Sequence, residues 1–153
     1  MPMRIAPNFT AQNRDDRTVS LSDYANKWLV LYFYPKDNTP GCTTEAIDFS
    51  QLLPDFQKLN ATVVGVSPDS IKSHCNFTSK HNLSIELLCD SDRQIAEAYE
   101  VWGLKKFMGK EYMGVIRSTF LISPDGKIVH QWTNVKVKGH ARSVLEKLTE
   151  LAI

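Results

Sequence analysis

Trp28-Leu29-Val30-Leu31-Tyr32-Phe33-Tyr34, followed at once by Pro35-Lys36-Asp37-Asn38-Thr39-Pro40-Gly41-Cys42, is the stretch whose reading decides the fold. An unbroken apolar and aromatic run does not alternate, so it predicts a strand buried on both faces and central in its sheet. Thr39 suits a helix N-cap and Pro40 the first helical position, which places Cys42 in the first turn. Unpaired backbone N–H groups and the helix dipole favour negative charge there, so the position promotes a thiolate.

Working outward, Phe49, Leu52, Leu53 and Phe56 recur at helical spacing, and Pro54 predicts a kink or an end to that helix. Thr62 to Val66 reads as a second strand. Ser67-Pro68-Asp69 opens a helix through about His81, Ile85 to Leu88 forms a short third strand, and Asp90 caps a helix through Tyr99. Thr119 to Ile122 and Lys127 to Trp132 flank the turn Ser123-Pro124-Asp125-Gly126, the clearest hairpin in the chain. A shorter one is expected around Asn13 to Asp16. Ala141, Val144, Leu145, Leu148 and Ala152 share one face of a closing helix. The order β-α-β-α-β-α-β-β-α is that of an α/β fold.

At 153 residues the chain reads as one domain, residues 1–153, able to bury a core without disulfide or metal support. A formal net charge of +1, with both signs mixed along the chain, argues against nucleic acid or an anionic membrane as partner. Met1 to Asp16 lacks the basic start and apolar centre of a signal peptide, and no apolar run approaches the ~20 residues of a membrane span, so the expected compartment is the cytoplasm. Three irregularly spaced cysteines suit individually acting thiols better than a secreted disulfide framework.

Pro35, Thr39 and Cys42 form the pattern Pro-x-x-x-Thr-x-x-Cys, which resembles the active-site motif of the peroxiredoxins. Tyr32 to Glu45, Gly114 to Leu121 and Val135 to Ala141 resemble the bacterioferritin-comigratory, or peroxiredoxin Q, subfamily, and the resemblance covers nearly the whole chain. It implies a thioredoxin-like fold with an N-terminal extension and an insertion. It also implies a thiol peroxidase without haem, flavin or metal that reduces hydrogen peroxide and organic hydroperoxides, takes electrons from a thioredoxin-like or other thiol reductant, and is a monomer.

A thiol of pKa about 8.5 is only ~3% ionised at pH 7, and lowering it to about 6 raises that ~30-fold. Nucleophilicity falls with basicity by roughly 13-fold over the same interval, so only about a twofold advantage survives. Fast peroxide reduction therefore needs donors aimed at the peroxide oxygens as charge develops. In the resemblance these are the Thr39 hydroxyl, the amides near Gly41 and Cys42, and Arg117, with Pro35 shielding the sulfur and Glu45 holding Arg117 by ion pairing.

Many relatives carry a resolving cysteine five residues after the first, where this chain has Ile47, and others carry one that aligns with Thr78. Cys75, three residues before Thr78 in the predicted helix, is the resolving candidate, with Cys89 or an external thiol as alternatives. Cys89 reads otherwise as a buried packing residue, and the histidines as surface or helix-end residues. A metal site from Cys75, Cys89, His74 and His81 lacks ligand spacing. Two other functions compete. A general disulfide oxidoreductase would need a second cysteine where Glu45 stands, and a non-enzymatic binding module leaves Cys42 unexplained.

Overall fold

A computed structural model describes residues 4–152. Its strands are β1 (Arg4–Ile5), β2 (Thr10–Asn13), β3 (Thr18–Ser20), β4 (Trp28–Phe33), β5 (Ala61–Ser67), β6 (Glu86–Cys89), β7 (Trp102–Phe107), β8 (Lys110–Val115), β9 (Ser118–Ile122) and β10 (Lys127–Thr133). The helices are α1 (Pro40–Lys58), α2 (Ile71–His81), α3 (Gln94–Ala98) and α4 (His140–Leu151). Eight strands form one mixed sheet in the order β1-β10-β9-β4-β5-β6-β2-β3, and β7 and β8 pair as a separate ribbon. This is a thioredoxin-like peroxiredoxin fold.

β4 lies inside the sheet, as its apolar run predicts, and pairs parallel with β5 and antiparallel with β9. Alternation along the strand sends Val30, Tyr32 and Tyr34 into a core with α1 and α4, and Leu29, Leu31 and Phe33 into a second core with α3. Each large side chain buried in this way contributes about 1.5–3 kcal/mol. Tyr32 stacks on Tyr34 and Phe49 over Gly65, its partner on β5. A Cβ at Gly65 would lie 2.8 Å from the Tyr32 ring and 2.9 Å from Leu87, so the backbone must stay bare there.

Pro54 neither ends nor replaces the helix, and α1 continues to Lys58. Its ring removes the N–H that would bond the Ser50 carbonyl. The Ser84 hydroxyl takes over that carbonyl at 3.2 Å, while the Ser84 amide donates to Ser50 Oγ at 3.1 Å. α2 begins later than Ser67-Pro68-Asp69: Ser70 is its cap and accepts from the Ser73 amide, while Ser67 and Asp69 bond each other. Asp90 does cap α3, taking the amides of Ile95 and Ala96, but the helix spans only Gln94–Ala98.

The hairpins at β2–β3 and β9–β10 and the buried face of α4 agree with the pattern. The β7–β8 ribbon does not arise from it. Leu104, Phe107, Met108, Tyr112 and Met113 are all exposed there, so no apolar alternation marks the strands. The turn signal is Met108-Gly109, both at positive φ.

Candidate active site

Cys42 sits in the first turn of α1 and is only 1% exposed. The first helical bond runs from the Thr43 amide to the Thr39 carbonyl, which leaves the Gly41 and Cys42 amides without helical partners. Thr39 occupies the N-cap, but its hydroxyl makes no capping bond and donates instead to the Lys36 carbonyl at 2.8 Å. The side chain is thereby turned toward the loop rather than the helix. Pro35, partly buried, lies two residues beyond the end of β4.

Arg117 reaches Cys42 across 75 residues of sequence: Nη2 donates to Sγ at 3.2 Å and Nη1 to Glu45 Oε1 at 2.7 Å. It occupies the break between β8 and β9. Its carbonyl accepts from the Val135 amide and the preceding amide, Ile116, bonds the Val101 carbonyl, so the backbone is held on both sides. Gly41 lets the guanidinium close in, since a Cβ there would stand 3.3 Å from Nη2. Arg117, Cys42 and Glu45 thus meet, while Cys75 and Cys89 lie outside the group.

Burial pushes the Glu45 carboxyl up to about 7, with the charge and hydrogen bond of Arg117 offsetting only part of the shift. One oxygen, Oε2, is buried with no partner among the described residues, as is the Tyr32 hydroxyl, whose pKa burial and then Glu45 raise well above the usual range. For Arg117, burial opposes the charge, but Glu45 and Cys42 outweigh it and raise the pKa. Lys105, on β7, is a further cation near this group; its ammonium donates to the Val115 carbonyl at 2.8 Å, and burial followed by Arg117 lowers its pKa.

His140 opens α4, at a helix end as the sequence suggested, but it is buried, and His74, inside α2, is a core residue and not the surface or helix-end residue expected. His140 bonds Thr119 Oγ1 at 2.8 Å and is held neutral by burial and then Arg117, with a pKa lowered to about 4. His74 is fully buried between Asp37 Oδ2, 2.7 Å from Nδ1, and the Leu88 carbonyl, 2.9 Å from Nε2. Both ring nitrogens face acceptors, so both carry protons. Burial disfavours that charge, but hydrogen bonds to Asp37 and Cys89 and the Asp37 charge prevail, raising the pKa to about 10.

Asp37 is the centre of this second cluster. It accepts from the Tyr34 hydroxyl at 2.6 Å and the Ser73 hydroxyl at 2.8 Å, and its amide donates to Asp69 at 2.8 Å. Asp37, Asp69 and His74 group closely enough to suggest a metal, but a doubly protonated imidazole has no lone pair to give. No sequence signal short of pairing residue 37 with residue 74 marks this cluster.

Cys75 is exposed, with its thiol donating to the Arg14 carbonyl at 3.1 Å, whereas Thr78 turns inward a hydroxyl that has no partner among the described residues. The two residues share a helix but not a surrounding. Cys89 is half-buried, not fully buried, and lines an open depression with Gln12 and Asp90.

Residues 2–131 match the AhpC/TSA family. The peroxiredoxin Bcp of Bacillus subtilis strain 168 is 50% identical over 147 residues, spanning 96% of this chain and 94% of its own. A protein of Helicobacter pylori strain J99 named as a putative peroxiredoxin bcp is 52% identical over 145 residues, 95% of each chain. The solved peroxiredoxin Q of Xanthomonas campestris superposes with a TM-score of 0.90 at 46% identity, covering 95% of this chain and 92% of that one. A further structure of the Xanthomonas campestris bacterioferritin comigratory protein, at TM-score 0.90 and 45% identity over 95% and 92% of the two chains, concerns alkyl peroxide reduction through trapped intermediate and ligand complexes.

Proposed function

The chain belongs to the AhpC/TSA family as a peroxiredoxin of the Bcp or peroxiredoxin Q group, and we propose that its thiol peroxidase activity runs through Cys42 with Arg117, Thr39 and Pro35 around it. The observation that carries this reading is the Arg117 guanidinium, which donates to the Cys42 sulfur with one nitrogen and to Glu45 with another. As a thiolate, Cys42 attacks one peroxide oxygen. The O–O bond breaks, the sulfur becomes a sulfenic acid, and the other oxygen leaves with a proton as water or alcohol. Arg117 and the free amides of Gly41 and Cys42 stabilise charge on the departing oxygen. The Thr39 hydroxyl gives up its bond to Lys36 to join them, and Pro35 keeps water from the sulfur.

Cys75 then attacks the sulfenic sulfur, forming a Cys42–Cys75 disulfide and releasing water, and a thioredoxin-like dithiol restores both thiols. A single domain over residues 1–153, acting as a monomer in the cytoplasm, completes the reading; the domain rests on chain length, the compartment on the composition of Met1 to Asp16, and the monomer on the resemblance. One equivalent of hydrogen peroxide added to the reduced protein should remove about two hydrogens from the intact mass and yield a Cys42–Cys75 linked peptide. Oxygen added to Cys42 with Cys75 still alkylatable would replace this cycle with a one-cysteine one.

Glu45 sets a pH dependence. Its folded pKa of about 7 means that falling pH neutralises the anion that holds Arg117. The second-order rate constant with hydrogen peroxide should fall below pH 7, and in Glu45→Gln the limb near 7 should disappear, leaving the rate near the wild-type acid value. A Glu45→Gln profile that superposes on wild type would remove Glu45 from the machinery.

A further inference from the structure

Cys75 points away from the site it is proposed to serve. In α2 the buried residues are His74 and Phe77, and a turn of about 100° per residue puts Cys75 roughly 130° from the direction midway between them. Its thiol is accordingly exposed on Arg14, whereas the Cys42 sulfur is buried against Arg117. A disulfide needs sulfurs about 2.05 Å apart and correctly aimed Cβ vectors. The first turns of α2 must therefore rotate or unwind before the bond can form.

Those turns are bolted to the loop that leads into Cys42. Ser73 and His74, the two residues just before Cys75, both donate to Asp37 Oδ2, at 2.8 and 2.7 Å, and Asp37 lies five residues before Cys42. His74 is bonded on its far side to Leu88 of β6, so its ring spans from the loop to the sheet. Rotating Cys75 inward breaks all three bonds and separates a buried imidazolium from its carboxylate. We propose that the Asp37–Ser73–His74 cluster is a latch on the resolving half of the reaction: it holds the peroxide-reducing arrangement intact, and its opening sets the rate at which Cys75 reaches the Cys42 sulfenic acid. These are positioning residues, since none touches peroxide or the Cys42 or Cys75 sulfur, and their assignment rests on Cys75 being the resolving thiol.

The test separates the two steps in one protein. Reduced enzyme is mixed with hydrogen peroxide, quenched by alkylation at increasing times, and analysed by mass for sulfenic acid and disulfide. Ser73→Ala removes one of the three side-chain donors to Asp37, and a single hydrogen bond to a charged carboxylate corresponds to about a 10- to 150-fold change in rate. Disulfide formation should speed up by that factor while sulfenic acid formation stays within about twofold, and Ser73→Thr, which keeps the hydroxyl, should return to the wild-type rate. With a shorter-lived sulfenic acid, Ser73→Ala should also lose proportionately less protein to sulfinic acid under excess peroxide. His74→Gln, if it folds, should accelerate resolution further. A linked Cys42–Cys75 peptide that forms at the wild-type rate or slower in Ser73→Ala overturns the latch alone. Absence of the linked peptide in the wild type overturns the resolving role of Cys75 and the latch with it.

Discussion

Replacing Cys42 with serine is expected to abolish peroxide consumption, a loss of more than about 10⁴-fold, while the protein stays folded. Serine presents an oxygen at nearly the same place, and Arg117 can donate to it as it donates to the sulfur at 3.2 Å. A hydroxyl does not ionise appreciably at neutral pH, however, and its oxygen forms no counterpart of a sulfenic acid. Cys42 itself is only 1% exposed, so solvent has little access to take its place as the nucleophile. Peroxide loss measured with a dithiol reductant, beside thermal unfolding of both proteins, checks the two halves of the statement. Turnover within tenfold of wild type would remove Cys42 from the chemistry, and a collapsed melting transition would make the activity loss uninformative, which is why both are read.

The largest effect on stability is expected at Asp37, far from the reacting atoms in role though not in sequence. Asp37→Asn keeps the shape and removes the charge, leaving the His74 ring buried between an amide and the Leu88 carbonyl. Stranding one member of a buried ion pair costs about 3–5 kcal/mol. In urea, at an m-value of about 1–3 kcal/mol per molar, the midpoint should fall by one molar or more. The effect carries a pH signature. His74 has a folded pKa raised to about 10, above its ordinary 6.5, so its contribution is complete below about pH 6.5 and is lost as pH rises through 10. The gap between wild type and Asp37→Asn should therefore be at full width at pH 6.5 and close as pH rises toward and past 10. A gap of equal size at both ends would mean that His74 is not charged in the folded protein.

The sequence makes some of this visible and hides the rest for definite reasons. β4, the β9–β10 hairpin and α4 are legible because burial on two faces, a Pro-Asp-Gly turn and a helical stripe each leave a local pattern. The β7–β8 ribbon leaves none, because only its base, Trp102 and Val115, packs on the core while most of its length meets solvent. Arg117 comes to notice through the resemblance and not through its own surroundings in sequence, since its partner Cys42 is 75 residues away. The Asp37–His74 pair is hidden in the same way. A carboxylate in a polar loop and a histidine in a polar helix both read as solvated until the fold brings them together. Pro54 does not end α1, and the carbonyl its ring leaves without a helical partner is taken by Ser84, a residue supplied from another part of the chain.

That last contact has a temporal side. The carbonyl that Pro54 leaves free within α1 is satisfied from a position 34 residues downstream. While the chain is being synthesised from its amino terminus, the second half of this helix exists for a time with an open acceptor that only water can fill. The helix bearing the reactive thiol reaches its final hydrogen bonding only after the segment leading into β6 has emerged, so its maturation is tied to the arrival of the strand two places across the sheet from β4.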